Sequence, residues 1–141
     1  MTLDKIVLSP SSLGEPIGPF VRGIRVGRLV ALSGTSALSH LSGELGERHL
    51  DPDFSVQAKL TFENLHRALV AARLDWDHVV KVGVMIKRRE DYAELNRLRD
   101  EILKGEPTAS TTIVCELIRE DMLIEVDAWA IAPDDQEINI T

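Results

Sequence analysis

Two carboxylates two residues apart, Glu125 and Asp127, stand in the apolar run Leu123 to Ile131, LIEVDAWAI. In an extended strand, residues at spacing two share a face. Leu123, Glu125, Asp127, Trp129 and Ile131 therefore point one way, and Met122, Ile124, Val126, Ala128 and Ala130 the other. Both faces are apolar, so the strand is expected to be covered on both sides and the two carboxylates sheltered from bulk water. A carboxyl group flanked by Leu123 and Trp129 has its charged form disfavoured, which poises it for general acid/base work on a water molecule. The competing reading of Glu125 is a carboxylate paired with a basic residue across an interface. Asp127, about 7 Å further along the same face, is read as a structural partner.

The remaining candidates are weaker on their own. Ser33 and Gly34 end a short strand and could present a hydroxyl and a backbone amide to a ligand, although a glycine there is more simply a bend. Asn96, inside a helical stretch, can orient a ligand or satisfy nearby backbone groups. Cys115 alternates with Ile113 and Leu117 and reads as a small core residue. His40, His49, His66 and His78 lack ligand spacing, so neither a metal nor another cofactor is expected. Arg88 and Arg89, followed by two acids, read as a solvated corner. Arg22, Arg25 and Arg119 are the other arginines within reach of a cleft, and spacing does not choose among them.

These residues need a scaffold, and 141 residues suffice for one domain, 1–141, that buries about two thirds of its unfolded surface. A single cysteine excludes an internal disulfide and fits a reducing compartment. The first residues lack a signal-peptide core, and no apolar run approaches the about 18 residues of a membrane span, so a soluble cytoplasmic protein is expected. With acids and bases interspersed and a net charge of −7, the chain offers phosphates no basic face, which disfavours nucleic acid as a partner.

The positioning elements follow in order. Ser9 to Pro19, rich in Ser, Gly and Pro, reads as a loop. Phe20 to Val26 and Leu29 to Thr35 form a hairpin about Gly27-Arg28. Ser36 to Asp53 reads as a long surface loop, with room for a short hairpin. Asp51-Pro52-Asp53 caps a helix of about five turns with its stripe at Ala58, Phe62, Leu65, Leu69 and Ala72. His78 to Lys87 is a strand with Val80, Val82, Val84 and Ile86 on one face, opposite Val79, Lys81, Gly83 and Met85. Asp91 caps a second helix striped at Tyr92, Leu95, Leu98 or Arg99, and Ile102, ended by Gly105 and Pro107. Ser110 to Ala130 reads as two strands joined by a turn at Arg119, Glu120 and Asp121. The tail from Pro133 is polar and expected to project. Both helices join strands of one sheet and fall on one face of it. The other face, carrying Leu123, Trp129 and Ile131, then stays bare, which argues for a second copy as its cover.

Several stretches together resemble the Rid/YjgF family, the reactive-intermediate deaminases also known as L-PSP endoribonucleases. They are Ile17-Gly18-Pro19-Phe20, Leu32-Ser33-Gly34-Thr35, Ser42-Gly43-Glu44-Leu45, Ala58 with Glu63-Asn64-Leu65, Val79-Val80-Lys81-Val82, Asp91-Tyr92-Ala93 with Leu95-Asn96, and Leu123 through Ala128. The resemblance implies an α+β, chorismate-mutase-like domain, a single sheet with two helices on one face, assembled as a homotrimer with ligand clefts between subunits. It also implies a small carbonyl- or imine-type metabolite as ligand, Glu125 as the water-activating group, and Phe20, Ser33, Gly34, Asn96, Ala109 and Thr111 as ligand-binding positions. The deaminase pattern P-x-R-S, whose arginine grips a substrate carboxylate, reads here Pro107-Thr108-Ala109-Ser110. Ala109 has neither charge nor donor, and losing such a paired anchor costs about 2 to 5 kcal/mol. Phe20 replaces a cleft tyrosine and Thr111 a frequent cysteine. The expectation is an imine-hydrolysing trimer. The alternatives are a non-catalytic ligand-binding or regulatory trimer and an endoribonuclease, the last at odds with the negative charge.

Overall fold

The computed structural model describes residues 3–133. Strands β1 (Ile6–Leu8), β2 (Gly23–Val26), β3 (Leu29–Thr35), β4 (Val79–Ile86), β5 (Ala109–Val114) and β6 (Ile124–Ile131), with helices α1 (Phe54–Ala71) and α2 (Tyr92–Leu103), form the architecture. The strands make one mixed sheet in the order β1-β2-β3-β6-β4-β5. This is the expected α+β plan with both helices on one face. Their buried residues share a core with Val30, Val82, Val84, Ile86, Val126, Ala128 and Ala130 of the sheet. Among the described residues, no helix is long and apolar enough to cross a membrane. The expectation for the polar tail beyond Pro133 lies outside the described residues.

Local signals explain most elements. Gly27 takes φ +58, as a two-residue turn between paired Val26 and Leu29 requires. The Asp53 carboxylate accepts from Val56 N at 3.1 Å, capping α1. The stripe Ala58, Phe62, Leu65 and Leu69 is buried throughout.

Six expectations are corrected. A strand, β1, precedes the hairpin and pairs with β2; three residues are too few to show a period. The long loop contains a single 3-10 turn, Leu45–Glu47, and no hairpin. It is also not merely superficial, since Ala37, Leu38 and Leu50 join Met122 in a second small core. Asp91 does not cap α2: its carboxylate pairs with Arg88 at 2.8 Å, a stronger partner than a backbone amide. Val79, not Val80, faces the core, because the pairing of β4 with β6 shifts between Val79 and Lys81. A bulge of this kind inverts the alternation on one side of itself.

The sixth correction decides the site. The two C-terminal strands do not pair with each other. β5 runs parallel to β4, while β6 inserts antiparallel between β3 and β4. Burial explains the choice. Ile124, Val126, Ala128 and Ala130 are no more than 2% exposed, so β6 belongs at the centre beneath the helices. The residues of β5 are exposed or half-buried throughout, so it is left at the edge. Leu123, just before β6, turns into the main core, unlike its expected companions Glu125, Asp127 and Trp129.

Candidate functional site

Pairing places Glu125 beside Met85, Asp127 beside Gly83, and Trp129 between Lys81 and Ala31. All stand on the sheet face away from the helices. Two glycines let the carboxylates lie flat there. A Cβ added at Gly34 would collide with Oε1 of Glu125, and one at Gly83 with Oδ1 of Asp127. Gly34 therefore does more than bend β3: it vacates the space the Glu125 carboxyl occupies, at a register shift between Leu32 and Thr35.

Burial pushes the Glu125 carboxyl above its ordinary pKa, and the neighbouring charge of Asp127 pushes in the same direction. The direction is the one expected, although Leu123 turns into the core and does not flank the carboxyl on this face, and no ion pair of either carboxylate occurs among the described residues. Replacing Asp127 by Asn is expected to move the Glu125 midpoint to lower pH, because a charge that opposes ionisation is removed. A carbon-detected NMR titration of the side-chain carboxyl reads this directly, and an unmoved midpoint would show that Glu125 does not feel Asp127.

A cavity of about 50 Å³ opens beside Glu125. Phe20, Gly34, Arg22, Ser36 and Arg48 line it, with Ile17, Leu38, Leu45, Ile118 and Met122 among its walls. The structure thus brings three predicted residues together, Phe20, Gly34 and Glu125. Ser33 is adjacent, but its hydroxyl donates to Val21 O at 2.5 Å and its amide to Arg22 O at 3.0 Å. Neither proton is available to a ligand.

The other predicted residues lie elsewhere. Ala109 and Thr111 pair with Lys81 and Gly83, which sets them on the uncovered face of the edge strand, about 10 Å from β6. Asn96 is on α2, across the sheet, where its Oδ1 accepts from Arg99 Nη2 at 3.0 Å. Within one chain the seven positions do not form one site.

Geometry separates the three arginines within one chain. Arg22 lines the cavity. Arg25 shares the helix-side face with Val30 and donates to Gly27 O at 2.6 Å. Arg119 donates to Leu45 O at 2.7 Å and Arg48 O at 2.6 Å, tying the connection before β6 to the long loop.

Sequence reasoning missed Arg48 and Ser36, both in the loop it left unassigned. A signal did exist on α1, where Gln57, Thr61 and Asn64 are polar yet within 1% of full burial, three and four residues apart. Asn64 donates to Ser36 O at 2.9 Å. It also donates to Nδ1 of His40 at 3.1 Å, which fits the neutral ring that burial favours there. Gln57 donates to Asp51 O at 2.7 Å and to Asp121 O at 3.0 Å, and accepts from Leu123 N at 2.8 Å. These buried amides fasten the loops that wall the cavity.

The comparisons with known proteins agree with this fold. The family model described as "Endoribonuclease L-PSP" matches residues 11–132. TdcF of Escherichia coli, a candidate reactive intermediate deaminase by name, is 32% identical over 133 residues, covering 92% of this chain and 98% of its own. The crystal structure of the YjgF gene product of E. coli superposes with a TM-score of 0.78 at 22% identity, covering 89% of this chain and 98% of that one. A crystal structure of E. coli TdcF with bound serine gives 0.76 at 24% identity with the same coverage. Since the family match runs from the loop before β2 to the residue after β6, taking in the whole cavity, this chain belongs to the endoribonuclease L-PSP family, that of the Rid/YjgF proteins.

Proposed function

We propose that this chain is a cytoplasmic hydrolase of small imines, or of the enamines in equilibrium with them, acting as a homotrimer whose clefts lie between subunits. The observation that carries the reading is the Glu125 carboxyl, held flat over Gly34 at the cavity with its pKa raised. In the reaction the Glu125 carboxylate takes a proton from water as the water oxygen bonds to the imine carbon. The Glu125 carboxylic acid so formed returns that proton to the imine nitrogen, giving a carbinolamine and restoring the carboxylate. The carboxylate then takes the carbinolamine hydroxyl proton and delivers it to the nitrogen, the carbon–nitrogen bond breaks, ammonia leaves and a carbonyl remains.

Support comes from TdcF, named for deamination of reactive intermediates and also solved with bound serine, a ligand small enough for such a cleft. The trimer is supported by the uncovered sheet face, where Trp129 is 46% and Ile113 50% exposed. A second copy on that face would also give Ala109 and Thr111 a cavity to serve. A regulatory trimer without catalysis is the second reading, favoured by Ala109 in place of a cationic anchor and by the committed protons of Ser33. RNA cleavage is disfavoured by the net charge of −7 and by a cavity lining without histidine.

The test generates an imine in place from an amino acid with an amino-acid oxidase and follows ammonia release. Acceleration over spontaneous hydrolysis is expected. Release at the spontaneous rate, with a small ligand still bound, would replace the enzyme by the regulatory reading. Gly34→Ala provides a finer check. The atom its new Cβ meets is the end of a flexible side chain, so the carboxyl gives way and the backbone stays. Turnover should fall about ten- to a hundredfold from that displacement, with the melting temperature nearly unchanged. Full activity would mean the Glu125 position is not exacting.

A further inference from the structure

The net charge of −7 is not spread evenly, and one cavity inverts it. Helix α2 buries Leu95, Leu98 and Leu103 but leaves the residues of β5 exposed or half-buried, so the helix-side face of this edge strand stays open as a shelf. Ser110, Thr112 and Val114 form it. They pair with Val82, Val84 and Ile86, all in the core beneath the helices, which sets the shelf on the opposite side of β5 from Ala109 and Thr111. The flank of α2 that carries Tyr92, Asn96 and Arg99, at helical spacings of four and three, walls it. Between shelf and wall opens a cavity of about 390 Å³, lined by Arg89, Tyr92, Arg99, Ser110 and Thr112 over an apolar base. No carboxylate lines it.

The donors of this cavity are not spent on acids. Arg99 Nη1 donates to Ser110 Oγ at 2.6 Å and Nη2 to Asn96 Oδ1 at 3.0 Å, both neutral acceptors. Burial lowers the Arg99 pKa, yet a guanidinium stays charged at any physiological pH. Among the described residues Arg89 makes no ion pair and no side-chain hydrogen bond, and the hydroxyls of Tyr92 and Thr112 have no hydrogen-bond partner. The neighbouring acids are answered elsewhere. Asp91 pairs with Arg88 at 2.8 Å, Glu90 acts on the same Arg88, and Glu94 pairs with Arg97. Asp100 and Glu106 line an adjoining cavity beyond Arg99 and Ser110, which the two cavities share. An anion is therefore drawn to the Arg89 end.

Two guanidinium groups and three hydroxyls around one volume are more donors than a carboxylate can use. A phosphate monoester carries about 1.5 to 2 negative charges at neutral pH and three strong acceptor oxygens, which forked guanidinium groups match bidentately. We infer that the groove between α2 and β5 binds the phosphate monoester of a small metabolite, with Arg99 and Arg89 gripping the phosphate and the hydroxyls of Tyr92, Ser110 and Thr112 donating to it. The site lies on the other face of the sheet from Glu125 and does not rest on the imine chemistry proposed above. A metabolite fits better than a nucleic-acid backbone, because the positive charge ends at this one cavity and a following phosphate would meet Asp100 and Glu106.

The test titrates inorganic phosphate, glycerol 3-phosphate and acetate, at constant ionic strength, into the full-length protein labelled with nitrogen-15. Both phosphates should shift the amides of β5 and of the first turns of α2 together with the Nε–H signals of Arg89 and Arg99, and acetate should bind about tenfold more weakly. Arg99→Gln should weaken phosphate binding about ten- to a hundredfold. Arg89 is exposed, so Arg89→Gln leaves the fold intact and keeps the test decisive should Arg99→Gln fail to fold; a loss of about three- to fivefold is expected from it. Glu125→Gln should leave phosphate affinity unchanged. Equal affinity for acetate would overturn the inference, as would phosphate shifts centred on Gly34 and Glu125. A single-stranded oligouridylate without terminal phosphates completes the set. Tighter binding of it than of glycerol 3-phosphate, lost in the same arginine variants, would replace the metabolite by RNA and overturn the assignment.

Discussion

Replacing Glu125 by Gln is expected to lower imine turnover by about two to four orders of magnitude, the usual contribution of a general acid/base, while making the protein more stable at neutral pH. Both effects come from one property, a carboxyl whose folded pKa lies above the ordinary value near 4.5. Between the unfolded and folded values the folded chain binds the extra proton. What this group contributes to stability is therefore greatest below the ordinary carboxylate range and is lost as pH rises through the raised value. Above it the buried charge opposes folding. Glutamine keeps the shape without the charge, so the variant should melt a few degrees higher than wild type at pH 8, and the gap should close below about pH 4. Wild-type activity should fall as pH drops through the same raised pKa, since the base form is consumed there. Thermal melts across pH beside initial rates check all three statements. A variant that melts lower at pH 8 would mean a cation from another copy holds the carboxylate, and undiminished turnover would remove Glu125 from the chemistry.

Trp129→Asp is expected to convert the proposed trimer to monomers at micromolar concentration. Trp129 sits mid-face on β6, between Lys81 and Ala31, nearly half exposed in the single chain. A central interface tryptophan typically contributes about 2 kcal/mol or more, roughly thirtyfold in each contact, and a closed trimer repeats that contact three times. Aspartate adds repulsion, because the face already carries Glu125 and Asp127. The substituted residue points away from the helices, so the core beneath β6 is untouched and the monomer should remain folded. Light scattering with circular dichroism reads assembly and fold together. A wild-type monomer would leave Ala109 and Thr111 without a cavity to join. A variant that stays trimeric would put the interface on another surface.

How much of this was legible from residues alone varies with the range of the interaction involved. The helix stripe of α1, the Asp53 cap and the Gly27 turn depend on neighbours a few positions away, and each stands where its local signal placed it. The alternation that set Glu125, Asp127 and Trp129 on one face also held, because a strand cannot rotate one side chain out of period without a bulge. Such a bulge at the start of β4 is what exchanged Val79 for Val80. Periodicity says nothing about which strand lies beside which. The run from Ser110 to Ala130 looked like a hairpin because its two strands are consecutive and joined by a polar turn. What separated them was the burial each could gain, central for β6 and peripheral for β5.

By itself, then, the sequence determined the two helices, most of the strands and the shared face of Glu125, Asp127 and Trp129, since these follow from spacing. Only the tertiary structure decided what the acid faces. Gly34 makes room for it across one strand pairing. Arg22 and Arg48 reach its cavity from segments far apart in the chain, and the buried amides of α1 hold the loops that bring them there. Charge and packing at a site sum over all residues within a few ångströms regardless of sequence separation, whereas local patterning registers only the residues next along the chain.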